Sequence, residues 1–344
     1  MNRNSSFEIL RLICIFEILM IHALDSIIGM ASQQDMVVIN ILDSICNMSS
    51  SCLMLISGWF GIKSSLEHFI HIEGMLLFWN VFALISNIAS GTEIGRQALL
   101  ACFLPLQAQK NWFITGYIVI FIFASYIEKM IEALPKKEFQ KLLCLLLLIF
   151  SVLPTLFYFD ITNTGGKGIA HLFVMYLLGR YMRKYINHQR FYDTKIIITV
   201  LGIIIVLTSV LNMGAEVINM RFWFCRDCSV FMILGAVCML LLFSKFTFSN
   251  RLINYGTKNI VSVICGERIV GRLFLKNWDR LMLNYFQEGG ARIGYYMAAI
   301  LRCVAVILVC IVIEKLRTVL FKPSEDLVII LIKRFSTKKH IKKR

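Results

Sequence analysis

The stretch FEILRLICIFEILMIHALDSIIGM, from Phe7 to Met30, decides how this chain folds. It is about 24 residues long and apolar enough to cross a bilayer as a tilted helix. Five of its side chains are nevertheless ionisable: Glu8, Arg11, Glu17, His22 and Asp25. Each such group costs at least a few kcal/mol at membrane depth, so a span that keeps several of them is a candidate functional site.

Arg11 and His22 share one face of this predicted helix. They are eleven residues apart in the sequence, which in a helix is three turns plus about 20° and a separation of about 16 Å along the axis. Asp25 follows His22 at i+3 and can reach it. The pattern predicts a polar track that enters the membrane from one side and carries a titratable imidazole.

The composition indicates an integral membrane protein and excludes an ordinary soluble domain. The chain has 344 residues, of which 58% are hydrophobic and only 17% are charged, and its mean hydropathy is +0.72. A net charge of +15 is typical of nucleic-acid binders. In a membrane protein it indicates basic cytoplasmic loops beside anionic lipid, so we expect lipid contact and no nucleic acid.

Apolar stretches predict an all-α bundle of about ten transmembrane helices. They cover residues 7–30, 36–59, 69–90, 112–131, 141–159, 168–186, 195–213, 228–246, 254–275 and 293–317. Lys and Arg are denser in alternate loops, which predicts that both termini are cytoplasmic. We divide the chain into a membrane domain, 1–320, and a basic cytoplasmic tail, 321–344. In that tail DLVIILIKRF is too short to span and is expected to lie along the inner membrane face.

The first span resembles a known signature. An Arg, ten residues and then a His within the first span are typical of acyltransferase family 3, and EILRLICIFEILMIHA fits that pattern. The resemblance continues in the family's order to about residue 275, through LMLISGWF (Leu53 to Phe60), NWFITGYIVIF (Asn111 to Phe121) and HLFVMYLLGRYMRKY (His171 to Tyr185). These are multi-spanning, mostly bacterial enzymes that acylate cell-surface sugars.

The resemblance implies an O-acyltransferase of the bacterial inner membrane. It would move acetyl from acetyl-CoA to a hydroxyl of a surface polysaccharide or its lipid-linked precursor, with no bound cofactor and no metal. His22 has the chemistry of a general base and Asp25 that of its orienting carboxylate. A polar pair that hydrogen-bonds between packed helices is the alternative.

Three arginines are candidates for binding the phosphates of coenzyme A. Arg11 lies at the expected cytosolic mouth of the first span, and Arg180 and Arg183 lie one turn apart at the inner end of the sixth. Ordinary positive-inside anchoring is the alternative for Arg11, and it is the simpler interpretation of Arg180 and Arg183.

Two further residues are candidates for the acceptor cavity. Asp43 lies on a polar face with Asn40 and Asn47 in the second span, and a buried carboxylate there could line a cavity opposite His22. Trp112 begins the fourth span, where an aromatic interface belt explains it well and the resemblance implies a place near the sugar.

The chain departs from the family at two places. SSLEHFIHIEG, Ser64 to Gly74, has histidines where relatives have an Arg-rich run. In NIVSVICGERIVGR, Gly266 stands where relatives have a late-span His, and Glu267 or Arg268 could replace it or form a salt bridge. These departures leave a non-catalytic relative as one alternative. A transporter or flippase of a polysaccharide intermediate, which would use the same polar track without covalent chemistry, is the other.

CRDC, Cys225 to Cys228, is the remaining motif. Its spacing suits a tight disulfide or half of a metal site, but no second Cys pair or His cluster lies nearby in the sequence. An incidental pair at a membrane boundary is the simpler interpretation.

Overall fold

The computed structural model describes residues 4–104, 111–186, 193–287 and 292–341. Within these ranges the chain forms helices joined by turns and loops, and no strand is present. The helices are α1 Ser5–Asp25, α2 Gln33–Cys46, α3 Ser49–Phe60, α4 Leu66–Ala89, α5 Arg96–Phe103, α6 Trp112–Ala133, α7 Lys136–Leu147, α8 Leu153–Phe157, α9 Ile169–Tyr185, α10 Thr194–Val217, α11 Val230–Ser244, α12 Arg251–Gly256, α13 Ser262–Phe274, α14 Lys276–Gln287 and α15 Arg292–Ile341.

The helices confirm the predicted all-α membrane class. Seven helical segments in the described ranges are long and apolar enough to cross a bilayer: Ser5–Met30, Gln33–Phe60, Leu66–Ala89, Trp112–Ala133, Lys136–Phe157, Thr194–Val217 and Ile293–Arg334. The other three predicted spans form shorter helices, namely α9, α11 and the pair α12 and α13. The count of ten and the cytoplasmic position of both termini therefore stay predictions.

The second apolar segment is two helices rather than one. α2 ends at Cys46 and α3 begins at Ser49, so the helix is interrupted at Asn47 and Met48. Ser49 Oγ donates to Glu17 Oε2 of α1 over 2.6 Å, which gives the buried Glu17 carboxylate a partner. Irregular backbone at membrane depth is tolerated where it is buried in protein or lines a cavity. Asn47, in this interruption, lines a cavity that His22 also lines.

α3 and α9 pack backbone to backbone at the centre of the fold. A Cβ on Gly58 would lie 2.2 Å from the carbonyl oxygen of Tyr176, and one on Gly179 would lie 2.4 Å from that of Leu55. Only glycine permits this approach, as at other membrane helix interfaces built from small residues. The Ser-Gly of the LMLISGWF motif is therefore a packing feature.

α15 runs through the predicted domain boundary without a break, since it continues from Arg292 to Ile341 and contains Pro323. Its C-terminal part packs antiparallel to the start of α4. Phe321 and Phe78 have ring centroids 5.8 Å apart, and the Lys333 Nζ lies 2.5 Å from Glu67 Oε1. DLVIILIKRF therefore continues the last long helix beside α4 and is not a separate surface segment. The boundary at residue 320 stays a prediction, and the basic end from residue 342 lies outside the described residues.

Candidate active site

A polar cavity of about 480 Å³ lies where the end of α1 meets the starts of α3 and α6 and the faces of α4 and α13. This volume is within the usual range for small-molecule sites. Its polar lining comes from seven parts of the chain: His22, Asp25, Asn47, Ser50, Asn80, Asn111, Trp112, Thr115, Lys167, Asp227, Glu267, Arg268 and Arg272.

His22 is held by a carboxylate on this cavity. Its Nδ1 lies 2.6 Å from Glu267 Oε2 of α13, and the side chains are 39% and 5% exposed, respectively. A short hydrogen bond to a buried carboxylate fixes the ring and favours the tautomer with the proton on Nδ1. Nε2 is then the ring nitrogen that can accept a proton. The pair has the arrangement of a general base with its orienting carboxylate.

The carboxylate that contacts the His22 imidazole belongs to Glu267 and not to Asp25, the predicted partner. Asp25 is the last residue of α1 and is exposed. Although it lines the same cavity, the imidazole turns towards α13. The i+3 spacing permits a contact but does not fix the rotamer, and a buried partner 245 residues away in the chain takes it.

The three predicted donor-binding arginines gather around the C-terminal end of α3. The Arg11 guanidinium lies 5.8 Å from the Phe60 ring centroid, and that of Arg183 lies 5.4 Å from the Trp59 ring centroid. Arg180 packs against Gly61, where a Cβ would lie 3.2 Å from its terminal nitrogen.

Two of these arginines already have carboxylate partners. Arg11 is paired with Glu8 of its own helix, and Arg180 is paired with Glu128 of α6 over 2.6 Å. The structure therefore brings the three predicted arginines together, and the carboxylates that neutralise part of this cluster are visible only in the fold.

The two predicted acceptor residues fall in different places. Trp112 lines the cavity at the start of α6. Asp43 is 7% exposed, lies beside Asn47 and Cys225, and is not one of the residues that line the cavity. The polar face on which it was predicted reaches the cavity through Asn47 instead.

Sequence reasoning missed Asp227, a buried acidic residue that lines this cavity. Asp227, in the loop between α10 and α11, is 3% exposed, and the Ser50 hydroxyl donates to it. Burial raises the pKa of the Asp227 carboxyl, and the hydrogen bond from Ser50 and the charge of Lys167 oppose that rise. The one signal for it in the sequence is its position inside the CRDC motif.

The family model for the acyltransferase domain of acyltransferase family 3 matches residues 4–315, most of the chain. The chain belongs to acyltransferase family 3. Searches of curated proteins and of solved structures gave no match. Membership supports a multi-pass membrane acyltransferase, and the match includes α1, α4, α6 and α13, which build the cavity.

The fold explains the late-span departure from the family pattern. A Cβ on Gly266 would lie 2.5 Å from the Trp79 ring, and Trp79 is 1% exposed. The indole thus fills the space that a larger side chain would need. The next residue, Glu267, reaches His22, so this segment still supplies an ionisable group to the site.

The other departure has a different cause. His71, in the segment where relatives have an Arg-rich run, has its Nδ1 3.1 Å from Glu325 Oε2 of α15. Arg317 of α15 is 1% exposed and donates to Glu314 over 2.9 Å and to Glu325 over 2.6 Å. The basic group in this region therefore comes from α15 and is already paired.

The CRDC cysteines do not form a disulfide. Both thiols are buried and free. Burial raises the pKa of Cys228 to about 11, so it stays protonated at neutral pH and is a poor nucleophile.

Proposed function

We propose that this protein transfers an acetyl group from acetyl-CoA to a hydroxyl of a bacterial cell-surface polysaccharide or of its lipid-linked precursor, at the inner membrane. The observation that carries the proposal is the hydrogen bond between His22 and the buried Glu267 on a polar cavity. Family membership supports acyl transfer in general.

His22 would act as the general base. Its Nε2 takes the proton of the acceptor hydroxyl while the oxygen attacks the thioester carbonyl, and the Glu267 carboxylate stabilises the imidazolium that forms. When the tetrahedral intermediate collapses, the carbon–sulfur bond breaks. The coenzyme A thiolate leaves and takes the proton from the imidazolium, so that an ester and free coenzyme A are the products. Such base catalysis is typically worth 10²–10⁴-fold.

The donor would enter from the side where the arginines gather. The guanidiniums of Arg11, Arg180 and Arg183 surround the end of α3 and suit phosphate oxygens. Arg11 is about 16 Å along α1 from His22, and the long flexible arm of coenzyme A separates its phosphates from its thioester. The donor and the acceptor would thus approach His22 from opposite sides of the membrane.

The experiment that tests this function is the mass of the surface glycan in cells with the gene, without it, and with the His22→Gln variant. The proposal predicts that wild-type cells carry one more acyl group per modified unit than the other two. Loss of the whole glycan without the gene would indicate transport instead. Equal masses in all three strains, with the protein present in the membrane, would refute acylation of that glycan.

A further inference from the structure

The loop that carries CRDC brings a buried acid to the cavity of His22, and the proposed chemistry does not use it. Asp227 lines that cavity and is 3% exposed. Ser50 of α3, which donates to Asp227 Oδ1, lines it too. Lys167, from the loop before α9, is close enough to act on the charge of Asp227. These side chains come from other parts of the chain than the α1 and α13 residues of the His22 pair.

The neighbouring Arg226 fixes one side of this loop to α8 and to the residue that follows it. Its guanidinium donates to the carbonyl oxygens of Pro154 and Tyr158, each over 2.6 Å, and lies 4.6 Å from the Tyr158 ring centroid. Its Nε donates to the carbonyl oxygen of Trp223 over 3.1 Å. All of these partners are neutral, so the arginine acts as a clamp on the backbone.

The two cysteines fix the other side. The Asn212 amide of α10 donates to Cys225 Sγ over 2.7 Å. The Cys228 N–H donates to the Gly165 carbonyl oxygen over 3.3 Å. Gly166, with φ of +92°, lies so close that a Cβ there would be 2.3 Å from Cys228 N. The same contact positions the loop that carries Lys167. Asp227 and Lys167 therefore reach the cavity from two loops that pack against each other.

A carboxylate is a costly choice for a merely structural residue in this place. The hydrogen bond from Ser50 would be made as well by a neutral amide, and burial penalises the charged form. A cavity that must bind hydroxyls benefits from a strong acceptor, because a hydrogen bond to a charged group is worth more than one between neutral groups. Lys167 adds a donor for the hydroxyl oxygen.

We propose that Asp227 binds a second ring hydroxyl of the acceptor while His22 deprotonates the first, so that a polyhydroxylated ring is a better acceptor than a simple alcohol. The inference rests on the proposed acyl transfer. Each hydroxyl bound by Asp227 donates to the carboxylate, and the ring is thereby turned so that one particular oxygen faces His22. The residue would thus set which hydroxyl is acylated.

The test uses full-length protein in nanodiscs with acetyl-CoA and two acceptors, methyl β-D-glucopyranoside and cyclohexanol. Both have a six-membered ring, but cyclohexanol has a single hydroxyl. We expect the wild-type protein to prefer the glucoside and to acylate cyclohexanol slowly. Asp227→Asn should lower kcat/KM for the glucoside about 10- to 100-fold, while the low kcat/KM for cyclohexanol, which has no second hydroxyl to bind, should not fall. Glu93→Gln, the same change at an exposed acid away from this cavity, should behave as wild type. The inference would be overturned if Asp227→Asn left the ratio of kcat/KM for the two acceptors unchanged, either because neither value fell or because both fell equally.

A binding measurement separates this inference from the proposed function. Without acetyl-CoA, methyl β-D-glucopyranoside should raise the thermal unfolding temperature of the wild-type protein and of Glu93→Gln, and should not raise that of Asp227→Asn. An equal shift in all three proteins, or none in any, contradicts the site. If the wild type makes no ester but its shift requires Asp227, the acyl transfer proposal fails while the sugar site stands.

Discussion

Replacing Glu267 by Gln should slow acyl transfer without removing the protein from the membrane. In the structure Glu267 Oε2 lies 2.6 Å from His22 Nδ1, and the Glu267 side chain is 5% exposed. Gln keeps the volume and one acceptor oxygen but cannot supply the negative charge that stabilises an imidazolium. A hydrogen bond to a charged group contributes about 1.5–3 kcal/mol. At about 1.4 kcal/mol per tenfold, we expect kcat to fall about 10- to 100-fold.

The assay is acetyl transfer from acetyl-CoA per unit of membrane-inserted protein, with kcat and the KM for acetyl-CoA measured separately. Because Glu267 acts on the base and not on the donor phosphates, the fall should be in kcat while KM changes little. Asp25→Asn is the matched control, since Asp25 lines the same cavity but does not hold the imidazole. If Glu267→Gln keeps wild-type kcat and Asp25→Asn loses it, the pairing assigned here is not the catalytic one.

Three other predictions test the fold and the motifs around the site. Gly58→Ala should destabilise the protein by about 1–3 kcal/mol, because its Cβ would lie 2.2 Å from a backbone carbonyl oxygen of α9; thermal unfolding checks this, and Gly202→Ala, with open space at its Cβ, is the control that should not be destabilised. Changing Cys225 and Cys228 together to Ser should leave acylation near normal, and a near-total loss in a folded protein would give the thiols a chemical role. The predicted topology places a reporter fused after Gly165 and one fused at the C-terminus on opposite sides of the membrane. Two reporters on the same side would contradict that topology.

Periodicity located the helices more reliably than it located their interruptions. Residues 36–59 read as one apolar stretch, because the break at Asn47 and Met48 has no proline or glycine to mark it. The reverse holds in α15, where the predicted last span ends at residue 317 but the helix continues through Pro323 to Ile341. Contacts with α4 accompany that continuation, such as the pairing of Lys333 with Glu67, and hydropathy contains no information about them.

Spacing within one helix predicted that Arg11 and His22 share a face of α1, but it did not predict the partners of their side chains. Arg11 and His22 share a track because both positions belong to the same regular helix. Glu267 is 245 residues away from His22, so only the tertiary packing of α13 on α1 brings them together. Asp227 was hidden for the same reason, since its neighbours Ser50 and Lys167 come from distant segments.

In the proposed mechanism His22 takes a proton from an acceptor hydroxyl, and the His22→Gln variant is the sharpest test of that step. Gln keeps a hydrogen-bonding side chain of similar reach but cannot carry the proton, and the apolar helix around it does not need an imidazole to insert. Purified wild-type and variant proteins would be compared in a single turnover of bound acetyl-CoA with an acceptor, with the ester measured by mass spectrometry. We expect a loss of about 10²–10⁴-fold in the rate of ester formation. A variant that forms the ester at the wild-type rate would show that His22 is structural and that the mechanism proposed here is wrong.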